Sequence, residues 1–73
     1  MNDSTIKFRA DQLQAMHEVI RCANDENIYM AWIPLVPDEP SREDFESIAE
    51  NTEAYNEVID LFIYLVSKKG YRA

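Results

Sequence analysis

The sequence predicts a single, mainly α-helical domain in which three helices pack together and an extended apolar segment crosses them. Apolar residues recur at helical spacing in three stretches, the longest over residues 53–69. The 73 residues include one glycine and three prolines, so little of the chain suits linkers or repeated turns. The alternative is a small α+β domain in which residues 5–9 and 28–33 pair as a two-stranded sheet, an arrangement that is marginal by itself.

Residues 1–10 are expected to form an N-terminal arm, and residues 11–25 the first helix. The arm alternates apolar and basic residues, which suits either a short strand or docking on the core. Asp11 is the expected N-cap, with Gln14 three residues later as in a loose capping box. The apolar positions of this helix are Leu13, Met16, Ile20 and Ala23, widened by Ala15, Val19 and Cys22.

Residues 28–37, with the sequence IYMAWIPLVP, are predicted to form an extended apolar strap. The length of the run and its aromatic content favour an extended segment over a helix. Pro34 also disfavours helical geometry at the residue before it. We expect this strap to cross the helices and to cover Tyr64.

Residues 41–51 are predicted to form the second helix, with Ser41 as its N-cap and Asp44 at the third position. The apolar stripe of this helix joins those of its neighbours in one core. The predicted core consists of Leu13, Met16, Ile20, Phe45, Ile48, Tyr55, Val58, Ile59, Phe62, Leu65 and Val66.

The third and longest helix is predicted over residues 53–69. Thr52 precedes it as the expected N-cap, and the positive charge of Lys68 in its last turn suits the helix dipole. Gly70 then supplies the left-handed stop. Start and stop signals therefore agree on one helix.

Charge is the strongest compositional signal. The net charge is −7, and residues 38–60 contain nine acidic residues against Arg42 alone, so this window carries −8 and the rest of the chain +1. Such a field repels nucleic acid and anionic membranes and favours a partner protein with a basic surface. One cysteine excludes an internal disulfide, and a cytoplasmic setting is expected. No apolar run has the length of a membrane span.

No catalytic, cofactor or metal site is expected, and the chain is not expected to be an enzyme. His17 and Cys22 are each unique and lie about 140° apart on the first helix, so they do not form a local dyad. We expect His17 at the boundary of the core and Cys22 as a small residue packed between helices. Two potential zinc ligands are too few for a zinc site. A single glycine excludes a glycine-rich phosphate loop.

The candidate binding surface is acidic, with aromatic residues at its edge. Tyr64 is expected on the polar face of the third helix, in line with its acids. The alternative to a Tyr64 covered by the strap is an exposed Tyr64 that anchors a partner, because aromatic side chains are enriched at binding hot spots. The predicted partner-binding residues are Glu43, Glu46, Glu50, Glu53, Glu57, Asp60, Tyr64 and Trp32.

Three hypotheses follow from this surface. The first is a non-enzymatic interaction or regulatory module that binds a basic partner. The second is a DNA-mimic inhibitor of a nucleic-acid enzyme, as short phage or mobile-element proteins can be. The third is a homodimer that buries the apolar belt at residues 61–66 together with Trp32. Direct DNA binding is not expected, because the third helix carries acids where a DNA-reading helix needs lysine and arginine.

Overall fold

A computed structural model describes residues 7–23 and 25–69 of the chain, and these residues form four helices. The helices are α1 (Ala10–Arg21), α2 (Glu26–Trp32), α3 (Arg42–Glu50) and α4 (Thr52–Lys69). The mainly α class is therefore confirmed. None of the four helices combines the length and the apolarity that crossing a lipid bilayer requires.

The predicted extended strap is wrong, because most of residues 28–37 belong to α2 and the turn that follows it. The Asp25 side chain accepts a hydrogen bond from the Asn27 backbone N–H at 3.0 Å and so starts the helix. The chain keeps helical geometry through Ile33 despite the proline that follows, with φ −52° and ψ −43°. The two-stranded alternative is also wrong, since the second of its strands lies in this helix and turn.

Helix α2 buries residues that lie four positions apart. Ile28, Trp32 and the following Val36 all point into the core, and Trp32 has no exposed surface. The Val36 backbone N–H donates to the Trp32 carbonyl at 3.0 Å, which holds the turn after the helix. Residues four apart share one face of a helix and also one face of a strand, so the spacing alone does not decide between them. The i to i+4 backbone hydrogen bonds decide it, such as that from the Ile33 N–H to the Tyr29 carbonyl at 3.0 Å.

The core lies where the four helices meet. Helix α1 packs most extensively on α3, α3 packs on α4, and α2 contacts both α1 and α4. Nine of the eleven predicted core residues are buried, while Phe62 and Val66 are only half-buried. The buried apolar residues that were not predicted are Ala10, Ile28, Trp32 and Val36.

Short polar side chains set where the helices begin. The predicted Ser41 cap of α3 is confirmed: Ser41 Oγ accepts from the Asp44 N–H at 3.2 Å, and the Asp44 carboxylate accepts from the Ser41 N–H at 2.8 Å. The caps predicted at Asp11 and Thr52 are wrong. Helix α1 starts at Ala10, where the Gln12 side chain accepts from the Arg9 N–H at 2.8 Å.

Helix α4 is capped by the residue before the predicted one. The Asn51 side chain accepts from the Ala54 N–H at 3.1 Å, so Thr52 is already helical. Asn51 is also the single residue between α3 and α4. The predicted stop at Gly70 lies outside the described residues.

We predict that Ser41→Ala lowers the free energy of unfolding by about 1 kcal/mol, because the Asp44 backbone N–H loses its side-chain acceptor and keeps only the Ser41 carbonyl at 3.1 Å. Ser47→Ala is the matched control, since Ser47 is exposed within the same helix and alanine favours helices there. Urea denaturation followed by the fluorescence of Trp32 measures both variants. Equal stability of the two variants would contradict the capping role.

Candidate protein-interaction surface

Among the described residues, one buried hydrogen bond joins two side chains, those of His17 and Trp32. The Trp32 indole N–H donates to His17 Nδ1 at 2.6 Å. His17 is 4% exposed, and the Phe45 ring lies edge-on to its imidazole with centroids 5.9 Å apart. The expectation that His17 lies at the edge of the core is therefore wrong: it is an internal residue of α1 that bonds to α2.

This hydrogen bond defines the protonation state of His17. Because Nδ1 accepts from the indole, the ring proton of the neutral imidazole is on Nε2. Nε2 is buried and has no hydrogen-bond partner within residues 7–23 and 25–69. Burial lowers the pKa of His17 below its ordinary value of 6.5, and the carboxylate of Glu18 only partly opposes that shift. The buried ring is therefore neutral at pH 7.

His17 and Cys22 do not come together. Cys22 is exposed, so the expectation that it packs between helices is wrong, whereas His17 faces the core. Within the part of the chain that the structure describes, no three His, Cys, Asp or Glu side chains converge on a site that would hold a metal ion.

The acidic residues predicted for partner binding on α4 all lie at the surface. Glu53, Glu57 and Asp60 are exposed and follow one another along one face of the 18-residue helix. At 1.5 Å per residue this helix is about 27 Å long. The acids therefore form a row on a rigid support, and we call it the α4 acidic row.

Tyr64 continues the α4 acidic row and is 50% exposed. The Lys68 ammonium donates to the Tyr64 hydroxyl at 3.2 Å and lies 5.6 Å from the centre of its ring. This hydrogen bond raises the pKa of Lys68 above its ordinary value. The expectation that the segment at residues 28–37 covers Tyr64 is wrong, and the ring is available to a partner.

The acidic residues predicted on α3 have basic neighbours. Glu46 forms a surface ion pair with Arg42 at 3.4 Å. Glu46 and Glu50 also share a shallow surface depression with Arg42 and Arg9. Glu43 is exposed on the same helix. The charges of Arg42 and Arg9 therefore offset part of the negative charge of Glu46 and Glu50.

Trp32 differs from the other predicted partner-binding residues because it is inside the domain. Its side chain is fully buried and its indole N–H is bonded to His17. A partner would reach Trp32 only if α2 moved away from the core, so Trp32 is not part of the candidate surface.

Sequence reasoning missed an apolar groove between α1 and α4. Two adjoining cavities, of about 210 and 230 Å³, meet at Phe8 and Phe62. The first is also lined by Gln12, Ala15, Met16 and Val19 of α1. The second is also lined by Ile63, Val66 and Ser67 of α4. We call these two cavities the α1/α4 groove. The sequence contains one indication of this groove: the apolar arc of the first helix is wider than a single contact with the core requires.

The residues of the α1/α4 groove differ in character from the rest of the surface. None of its lining residues is charged, although 29% of the residues in the chain are. Ile63 is 44% exposed, and Phe8, Val19, Phe62 and Val66 are half-buried. The groove is therefore an uncharged, partly exposed apolar surface and a candidate site for a partner.

No protein-family model matches this chain, and no curated protein or solved structure matches it. The function of its surface is therefore argued from the contacts and charges of the described residues.

We predict that the free energy of unfolding falls as the pH is lowered from about 7.5 to 5.5. The unfolded chain binds a proton at His17 near pH 6.5, whereas the folded chain resists protonation because its pKa is lowered. The stability that the neutral ring provides is thus complete above pH 6.5 and is lost as the pH falls toward the folded-state pKa. Urea denaturation at several pH values measures this slope.

His17→Gln is the control for this prediction. The amide oxygen can accept from the Trp32 indole but does not titrate, so the slope near pH 6.5 should largely disappear. His17→Phe should lower the free energy of unfolding by about 1–3 kcal/mol because the indole N–H is left unpaired. An equal slope in the wild type and His17→Gln would show that another group causes the pH dependence.

Proposed function

We propose that this chain is a non-enzymatic interaction module that binds a partner protein with a basic surface. The observation that supports this function best is the α4 acidic row, which runs along a rigid helix and ends at the half-exposed Tyr64. Fixed acids and an exposed aromatic ring are together the features that recognise a basic protein surface.

The acids and the aromatic ring contribute in different ways. A single exposed ion pair is worth about 0–1 kcal/mol, so no one member of the row determines affinity. A row of like charges nevertheless raises the rate of association with a basic partner and disfavours acidic ones. Tyr64 supplies apolar area at the end of the row, and its contact with Lys68 restricts the ring before binding.

We predict that the triple variant Glu53→Gln, Glu57→Gln and Asp60→Asn loses most of the partner protein that the wild type retains from a cell lysate. Removing three charges weakens the attraction to a basic surface, and raising the salt concentration should mimic the effect in the wild type. Immobilised chains, mass spectrometry of the retained proteins and circular dichroism of the baits measure this.

The matched control removes the same charge elsewhere, by Glu26→Gln, Asp38→Asn and Glu39→Gln, all at exposed positions outside α4 and outside the predicted binding residues. The amide oxygen introduced at position 38 can still accept from the Tyr29 hydroxyl. This control variant should retain the partner nearly as well as the wild type. Tyr64→Ala in the wild-type background should weaken binding about tenfold. Retention that ignores salt and all of these changes would contradict the proposal. A retained nucleic-acid enzyme that duplex DNA displaces would identify DNA mimicry as the form that the interaction takes.

A further inference from the structure

The α1/α4 groove is present before any partner binds. Phe8, which lines both of its cavities, is held in place because the Tyr55 hydroxyl donates to the Phe8 backbone carbonyl. Helices α1 and α4 contact each other at the core beneath the groove. Binding there would bury Ile63 and the half-buried rings of Phe8 and Phe62 without first reorganising the backbone.

Acidic residues follow both long sides of the α1/α4 groove. On α1, Asp11 and Glu18 are exposed and lie within about 60° of Ala15 around the helix axis. On α4, Asp60 is exposed and lies about 60° from Ile63. Arg9 at the Phe8 end pairs with Asp11 at 3.8 Å. Lys7 at the Phe8 end and Lys68, which follows Ser67 on α4, are exposed as well. The lining of the groove is therefore uncharged, with acids along its two helical walls and cations at its ends.

Resting on the function proposed above, we propose that the α1/α4 groove binds an amphipathic helix of the basic partner. An apolar ridge with side chains at i, i+3, i+4 and i+7 would fill the two cavities, as in helix-in-groove recognition. Lysine and arginine on both flanks of that ridge would meet the acids of α1 and of the α4 acidic row. The acids along the two helical walls favour a helix with basic flanks over one with acidic flanks.

A second copy of the chain fits these rims less well. Each copy has a net charge of −7, and the acids on both sides of the groove would approach those of the other copy. A helix with an apolar ridge and acidic flanks would meet the same repulsion. The basic flanks are therefore as much a part of the inferred partner as its apolar ridge.

Three fluorescently labelled helical peptides of equal length test the inference by anisotropy with the full chain. The first has a leucine and phenylalanine ridge with lysine flanks, the second has the same ridge with glutamate flanks, and the third has an alanine ridge with lysine flanks. We expect the first to bind at least about tenfold more tightly than each of the others. Equal binding of the first two peptides, or of the first and third, would overturn the inference.

Two variants locate the binding site on the chain. Ile63→Ala removes an exposed apolar contact, and Ala15→Gln places a larger polar side chain in the first cavity at an exposed helical position. Each should weaken binding of the first peptide about fivefold or more. Met30→Ala is the matched control, because Met30 is 57% exposed and lies outside the groove, so it should not change the affinity. Circular dichroism confirms that each variant folds.

The remaining outcomes separate this inference from the proposed function. If the α4 triple variant loses the lysate partner but Ile63→Ala and Ala15→Gln retain it, the inference about the groove is overturned. The proposed function then stands. Peptide binding that Ile63→Ala and Ala15→Gln do not weaken would also overturn the groove. A dimer in sedimentation equilibrium that Ala15→Gln converts to a monomer would assign the groove to a second copy and overturn the inference.

Discussion

The hydrogen bond from the Trp32 indole to His17 constrains how the helices of this small domain assemble. It is a buried polar contact between α1 and α2, and the Phe45 ring brings α3 against the same imidazole. An indole N–H without a partner would cost about 1–3 kcal/mol, a large fraction of the stability of a domain this size. Trp32 can therefore enter the core at low cost only where α1 presents a hydrogen-bond acceptor, here the neutral His17, and this requirement places α2 against α1.

The arrangement around Trp32 leaves α4 incompletely covered. Helices α1, α2 and α3 have 12, 7 and 9 residues, whereas α4 has 18. Helix α4 buries Tyr55, Val58, Ile59 and Leu65, whereas Phe62 and Val66 stay half-buried and Ile63 is exposed. Small domains bury a smaller fraction of their surface than large ones do, so uncovered apolar surface is expected. The α1/α4 groove is where this surface gathers.

The sequence predicted where most helices and core residues lie, but not every cap and not the conformation of the segment that carries Trp32. The Ser41 cap and the long α4 follow from side chains within a few residues, and both were predictable. The conformation of residues 28–37 was not, because burying Trp32 beside His17 overrides the unfavourable effect of Pro34 on the preceding residue. For the surface, helical periodicity put Tyr64 among acids, but nothing local distinguished the exposed Tyr64 from the buried Trp32.

On the proposed function, the acidic surface and the groove would act at different stages of binding. Charges act over about 8–10 Å at physiological ionic strength, so the α4 acidic row influences a partner before contact and mainly affects the association rate. Apolar contacts act only once water has been expelled, so the α1/α4 groove would mainly affect the dissociation rate. Because Asp60 lies near Ile63 on the same helix, a partner guided by the row arrives beside the groove. The overlap of the two surfaces on α4 is therefore what would turn a weak electrostatic encounter into a specific complex.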